Sequence, residues 1–169
     1  MSDVVDLTAM TVEVTHRFGY GVDEVWALLS DVERMAGLGP EHVDAHWDGS
    51  DRGVGARFTG RNRIGDFEWT VPCWITVWEP PHRLAWTVLE PDWPSSTWSY
   101  RLESDEAGTA VTQRFQHGPG PSYIRRVVTD SPDRAADVVG GRCATLAANM
   151  AATLAAADRL LATGEAAGR

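Results

Sequence analysis

The stretch Phe67 to Trp78, FEWTVPCWITVW, sets Trp69, Val71, Cys73, Ile75 and Val77 at every second position. Side chains of a strand point alternately to its two faces, so this spacing gathers a bulky apolar row on one side of a sheet. Working outward, the same alternation returns in GARFTGRNRI (55–64), HRLAWTV (82–88), STWSYRL (96–102) and GTAVTQRF (108–115). Gly65-Asp66 makes a two-residue hairpin turn, because glycine takes the positive φ that such turns need. The segments EPPH and SDEAG mark later reversals. Strands joined so briefly pair antiparallel. The expected strands are Val12–Phe18, Asp44–Trp47, Ala56–Ile64, Phe67–Trp78, Arg83–Leu89, Thr97–Leu102 and Ala110–His117.

Between the first two strands, Val22, Val25, Trp26, Leu28, Leu29, Val32 and Met35 have helical spacing. Ser30 and Asp31 supply a second cap, which predicts two short helices and not one rod. Beyond HGPGPS, Tyr123–Val128 reads as a short helix or an irregular lid, and Ser131 caps a turn that has Pro132 at its first position. Gly140 and Gly141 either interrupt the following helix or admit a close neighbour. Cys143, Leu146, Met150, Leu154, Ala157 and Leu161 then form one helical stripe, with Arg142, Thr145, Asn149, Thr153 and Arg159 mostly off it. Such a stripe needs a cover, and the sheet is the large partner available. The expected fold is α+β: a curved antiparallel sheet of six to seven strands wrapped around a long C-terminal helix, with two short helices after the first strand. Residues 11–162 form a single domain in this reading, between tails at 1–10 and 163–169.

A chain of 169 residues with net charge -9 and pI near 4.9 fits one ordinary core and argues against nucleic acid or anionic lipid surfaces as partners. Cys73 and Cys143, without CxxC spacing, read as free buried thiols in a reducing compartment. The opening MSDVVDLTAM has no signal-peptide pattern, and Asn149, Asp158 and Arg159 interrupt the alanine-rich segment that could otherwise suggest a membrane span. The expectation is a cytoplasmic protein without stable membrane insertion, compatible with a homodimer.

Parity assigns Phe58, Gly60, Asn62 and Ile64 to the concave face, together with the row from Trp69 to Val77. Leu84, Trp86 and Val88, then Trp98, Tyr100 and Leu102, then Val111, Gln113 and Phe115 join them. Either these aromatics fill a core, or the alanine-rich helix leaves a cavity between itself and the sheet. Asn62, Tyr100, Gln113 and His16 share that face, and each polar group left dry and unpaired there costs about 1–3 kcal/mol. A ligand or ordered water would satisfy them, and an apolar pocket with a few convergent polar groups is the usual form of a small-molecule site.

The runs VDEVWALLSDVERM (22–35), GVGARFTGRNRIG (53–65), STWSYRLE (96–103) and GTAVTQRF (108–115) resemble the START-like SRPBCC superfamily, and within it the polyketide cyclase/dehydrase and lipid transport group. The resemblance spans Val12 to Leu161 and implies a helix-grip fold with a deep cavity for hydrophobic, often polycyclic, molecules. It carries no shared catalytic residue. By position it implies a ligand-binding wall of Phe58, Asn62, Trp69, Val71, Trp86, Trp98, Tyr100 and Phe115, faced by Cys143, Leu146 and Met150 on the helix. Trp93 and Tyr123 match the cavity entrance.

Chemical motifs are sparse. His42 and His46 lie four apart around Asp44, but in a strand that spacing is too long for joint ligation, so no metal site is expected. Asp66 and Glu68 beside Arg61 and Arg63 read as a solvated charge cluster at a turn. There is no GxSxG elbow and no phosphate loop, so neither nucleophilic catalysis nor a cofactor is expected. For proton transfer during a shape-guided cyclisation the candidates are His16, Asn62, Tyr100 and Gln113, of which His16 alone titrates near neutrality when unperturbed. Three functions follow: a carrier, sensor or sequestering protein for a small hydrophobic or aromatic molecule; a polyketide cyclase, aromatase or dehydratase using the same cavity; and a co-chaperone-like interaction protein.

Overall fold

The computed structural model describes residues 6–164. Seven strands form one antiparallel sheet: β1 (Thr11–Phe18), β2 (His42–Trp47), β3 (Arg57–Ile64), β4 (Phe67–Glu79), β5 (Arg83–Val88), β6 (Ser96–Asp105) and β7 (Gly108–His117). Their order is β1-β7-β6-β5-β4-β3-β2, so β2 to β7 meander and β1 returns to pair with the last strand. Two short helices, α1 (Val22–Leu29) and α2 (Val32–Met35), carry the chain from one edge of the sheet to the other. The Asp31 side chain caps the second by accepting from the Arg34 N–H. α3 (Tyr123–Asp130) and the 28-residue α4 (Ala135–Ala162) complete the fold.

The hairpin at Gly65 forms as its sequence demands, with Ile64 opposite Phe67 and φ +59° at the glycine. Gly39 has a different reason for lacking a side chain. A Cβ there would run into the Thr153 hydroxyl, so any side chain at this position forces Thr153 to shift where the loop rests on α4.

Three local expectations are corrected. Gly140 and Gly141 lie within continuous α4, and an added Cβ at either meets nothing within 4 Å, so they neither break the helix nor admit a neighbour. A bulge between Ile75 and Val77 reverses the parity of β4: Trp78 pairs with inward Leu84 and packs edge-on against Trp26, whereas Val77 pairs with Ala85. Leu7 and Met10, assigned to a tail, are buried, and a 3-10 turn at Leu7–Ala9 leads into β1. The rest of that tail, residues 1–5, and most of the C-terminal one, 165–169, lie outside the described residues.

The space between sheet and α4 divides along the helix. Toward its C-terminal end, Leu154 and Ala157 pack into a filled core with Phe18, Ile75, Leu102 and Val111. Toward its N-terminal end, Leu146 and Met150 meet Met10, Val12 and Phe115, and beside them the interior is open.

Candidate ligand cavity

The open half is a cavity of about 850 Å³. Aromatic rings line its floor from strand to strand. Trp47, outside the lining, backs Phe58 edge-on at 5.6 Å, and Phe58 lies 6.4 Å from Trp86 across β4. Trp86 and Trp98 are nearly parallel at 6.4 Å, and Trp98 meets Phe115 at 5.0 Å. Direct cross-strand pairing produces the last part of this row, since Trp86 faces Trp98 and Trp98 faces Phe115. Ile64 and Phe67 at the hairpin tip and Tyr123 on α3 line the cavity yet remain 52%, 65% and 75% exposed, which makes them its rim.

Of the wall expected from sequence, Phe58, Asn62, Trp69, Val71, Trp86, Trp98, Tyr100 and Phe115 all line this cavity, as do Leu146 and Met150. Cys143 does not; it is half-buried against the Phe115–Met150 cluster. His16 is also displaced. It shares the concave face but sits over the filled half, where Nε2 lies 2.9 Å from Asp158 Oδ2. That pairing and that position remove it from any chemistry in the cavity. Trp93 is 61% exposed and outside the lining, although its loop is bound to the one after β7 by Gly118 N–H to Ser95 O and Gly120 N–H to Pro94 O, both 2.8 Å.

Two polar groups on the floor stand out. Gln113, only 5% exposed, has a side-chain carbonyl oxygen without a hydrogen-bond partner among the described residues. Directly across from it is Tyr100, also buried. Burial raises the phenol's pKa well above its ordinary value, so its hydroxyl stays a donor at every physiological pH. Cys73 lines the cavity too, and burial pushes its thiol up to about 12, which makes it a poor nucleophile.

The polar wall on the helix side was not legible as such. Arg142, Asn149 and Thr153, set off the apolar stripe in the sequence reading, line the cavity. Glu41 meets the first two: Arg142 donates to its two oxygens at 2.9 and 2.6 Å, and Asn149 Nδ2 donates at 3.1 Å. This cluster ties the loop before β2 to α4. The i, i+7, i+11 spacing of those three residues was the available signal, a second stripe beside the first.

A bulge between His42 and Asp44 explains the neighbouring histidines. It puts His42 opposite Asn62 and into the cavity lining, while His46 stays exposed beside Asp44. Among the described residues no group of three or more His, Cys, Asp or Glu is placed to hold a metal.

Burial lowers the pKa of His42, against the charges of Asp44 and Glu41, and lowers that of His117, reinforced by Arg125. The unfolded chain takes up these protons near 6.5, whereas the folded chain resists them until lower pH. Their contribution is therefore complete above that value and is lost as pH falls through it. Urea midpoints are expected to drop from pH 7.5 to about pH 5, with a shallower slope in His42→Asn; equal slopes would reject the assignment to this histidine.

A curved antiparallel sheet gripping one long helix, with an apolar chamber between them, defines the helix-grip class and a hydrophobic ligand-binding fold. Among the described residues no helix is long and apolar enough to cross a membrane. The chain belongs to the polyketide cyclase / dehydrase and lipid transport family, whose model matches residues 9–155. No curated protein matches it in sequence. Among solved structures, a polyketide-cyclase-like protein from Corynebacterium glutamicum is similar at 26% identity, over 92% of this chain and 93% of that one, with a TM-score of 0.67. A protein from Mycobacterium smegmatis shares the fold at 21% identity, over 94% and 95% of the two chains, with a TM-score of 0.62. The di-domain aromatase/cyclase StfQ of the steffimycin biosynthetic pathway shares it at 14% identity and a TM-score of 0.71; 89% of this chain matches 49% of that one.

Proposed function

We propose that this protein binds a small hydrophobic or aromatic molecule in the cavity and acts in the cytoplasm as its carrier, sensor or sequestering protein. One observation carries the reading: an aromatic-walled chamber of about 850 Å³ whose floor holds the unpartnered Gln113 carbonyl. A buried acceptor left unmatched costs about 1–3 kcal/mol; the oxygen is itself covered, and a guest with a hydroxyl or N–H over Gln113 removes that cost once the amide turns toward the chamber. Trp86 and Trp98 stack on its flat apolar body, and the Tyr100 hydroxyl is placed to donate to a guest oxygen.

Titration with a panel of polycyclic phenols and acyl compounds tests this. A ligand present at about 100 times its Kd is expected to quench tryptophan fluorescence and add about 2.7 kcal/mol of stability. Trp98→Ala is expected to weaken binding at least about tenfold, equivalent to about 1.4 kcal/mol. A panel with neither quenching nor thermal shift counts against the proposal.

The second reading, a cyclase, aromatase or dehydratase, is favoured by the Tyr100 donor beside Gln113, both directed at one chamber. Turnover of a reactive poly-carbonyl chain that disappears in Tyr100→Phe while binding persists would support it over simple carriage.

A further inference from the structure

The cavity also holds a polar pair that simple binding leaves unused. His117, at the end of β7, is buried, and Ser122 opens α3; both line the chamber. His117 Nδ1 lies 2.7 Å from the carbonyl oxygen of Gly118, an atom that only accepts, so Nδ1 carries the proton. Burial lowers the imidazole's pKa, aided by the charge of Arg125, so at neutral pH the ring is uncharged and Nε2 is bare. Ser122 Oγ lies 2.7 Å from that nitrogen. The oxygen already accepts from the Arg125 backbone N–H at 3.0 Å, and its one proton is left to point at Nε2. A helix cap needs only the Arg125 bond. The second contact has the sense of a nucleophile donating to its general base, with a carbonyl holding the base's tautomer.

Two further features fit that chemistry. The backbone N–H groups of Tyr123 and Ile124, which follow the serine in the first turn of α3, have no acceptor among the described residues. They are free donors in the same turn as the serine, the kind of group that an oxyanion formed at Ser122 needs. Arg125 holds the turn itself, donating to Gly120 O at 3.1 Å and to Gly118 O at 2.9 Å. Tyr123, at the rim, places the pair near the mouth, where a leaving group has a way out.

We propose that Ser122 and His117 form a hydrolytic dyad that cleaves carboxylic esters of hydrophobic acyl or aryl acids seated in the cavity. This rests on the binding role of that cavity. Ser122 Oγ bonds to the ester carbonyl carbon while its proton passes to Nε2. The carbon–oxygen bond to the alcohol then breaks, and the alcohol leaves with that proton. Water adds to the acyl-serine, giving a proton to Nε2; the acid departs as this proton returns to Oγ. One ester and one water become one acid and one alcohol.

The test uses an alkyl fluorophosphonate and p-nitrophenyl octanoate on the full chain. A single covalent adduct mapped to Ser122 by peptide mass spectrometry is expected, together with release of p-nitrophenol. Ser122→Asn keeps a competent cap and is expected to lose the adduct in a folded protein. His117→Gln is expected to slow labelling about 100-fold or more. If that variant does not fold, the wild-type labelling rate, rising with pH as the imidazole loses its proton, reads the same base. No adduct on wild-type Ser122, or labelling indifferent to both His117 and pH, overturns the dyad. An octanoate ester that quenches tryptophan fluorescence but is not cleaved overturns the dyad alone and leaves the binding role standing; an ester that does neither counts against both.

Discussion

Leu154→Ala is expected to lower stability by about 3–5 kcal/mol and Tm by about 10 °C, while leaving ligand affinity nearly unchanged in the protein that remains folded. Leu154 is 0% exposed and packs in the filled half of the interior, with Ile75, Leu102 and Val111 in the same cluster, and it takes no part in lining the cavity. Removing its side chain leaves a void among rigid β-sheet neighbours and one helix, which can collapse only in part. Met150, one turn earlier on the same stripe, lines the chamber. Its truncation enlarges a space that is already open, so Met150→Ala is expected to cost less stability and to change ligand affinity instead. Chemical denaturation of both variants, with and without a bound fluorescence ligand, checks the contrast. Equal stability losses, or an affinity change confined to the Leu154 variant, would contradict the division of the interior into filled and open halves.

Arg142→Met is expected to destabilise the protein by about 2–3 kcal/mol, somewhat below the loss of about 3–5 for breaking a fully buried ion pair. The two side chains retain 23% and 15% of their exposure, which is why the smaller figure applies. The variant deprives the Glu41 carboxylate of its bidentate partner and leaves it with Asn149 alone. Most of the cost is that stranded charge, so the double variant Glu41→Gln/Arg142→Met is expected to recover most of the stability. A double-mutant cycle measured by urea denaturation reads the coupling. Additive losses would mean that the cluster is an exposed pair of little consequence. Because Glu41 lies on the loop that rests on α4 through Gly39, ligand entry is also expected to quicken in the single variant, which stopped-flow quenching would show.

The strands and the two short helices were legible because their signals are local: alternation in the Trp69 to Ile75 row, a glycine turn at Gly65, and a cap at Asp31. The aromatic floor was legible for the same reason, since parity within a strand predicts its face. Parity failed where a bulge changed the count, at Val77, and nothing in the residues themselves marks an inserted position. His16 shows another limit. Parity gave its face correctly, but its level along the helix axis, over Asp158 and away from the chamber, depends on how the sheet is laid across α4. His117 and Ser122 are separated by a Gly-Pro-Gly-Pro turn whose path brings the imidazole and the hydroxyl together, a contact no periodicity describes.

Sequence alone determined the meander, the long alanine-rich helix and the inward row of each strand up to its bulge, because hydrophobic periodicity and turn chemistry act over a few residues. Only the tertiary structure decided that one half of the interior is filled and the other open, that Glu41 reaches Arg142 and Asn149, and that the Gln113 carbonyl has no partner. Those outcomes depend on the distance and register between elements far apart in the chain, and these are set by packing of the whole sheet against one helix.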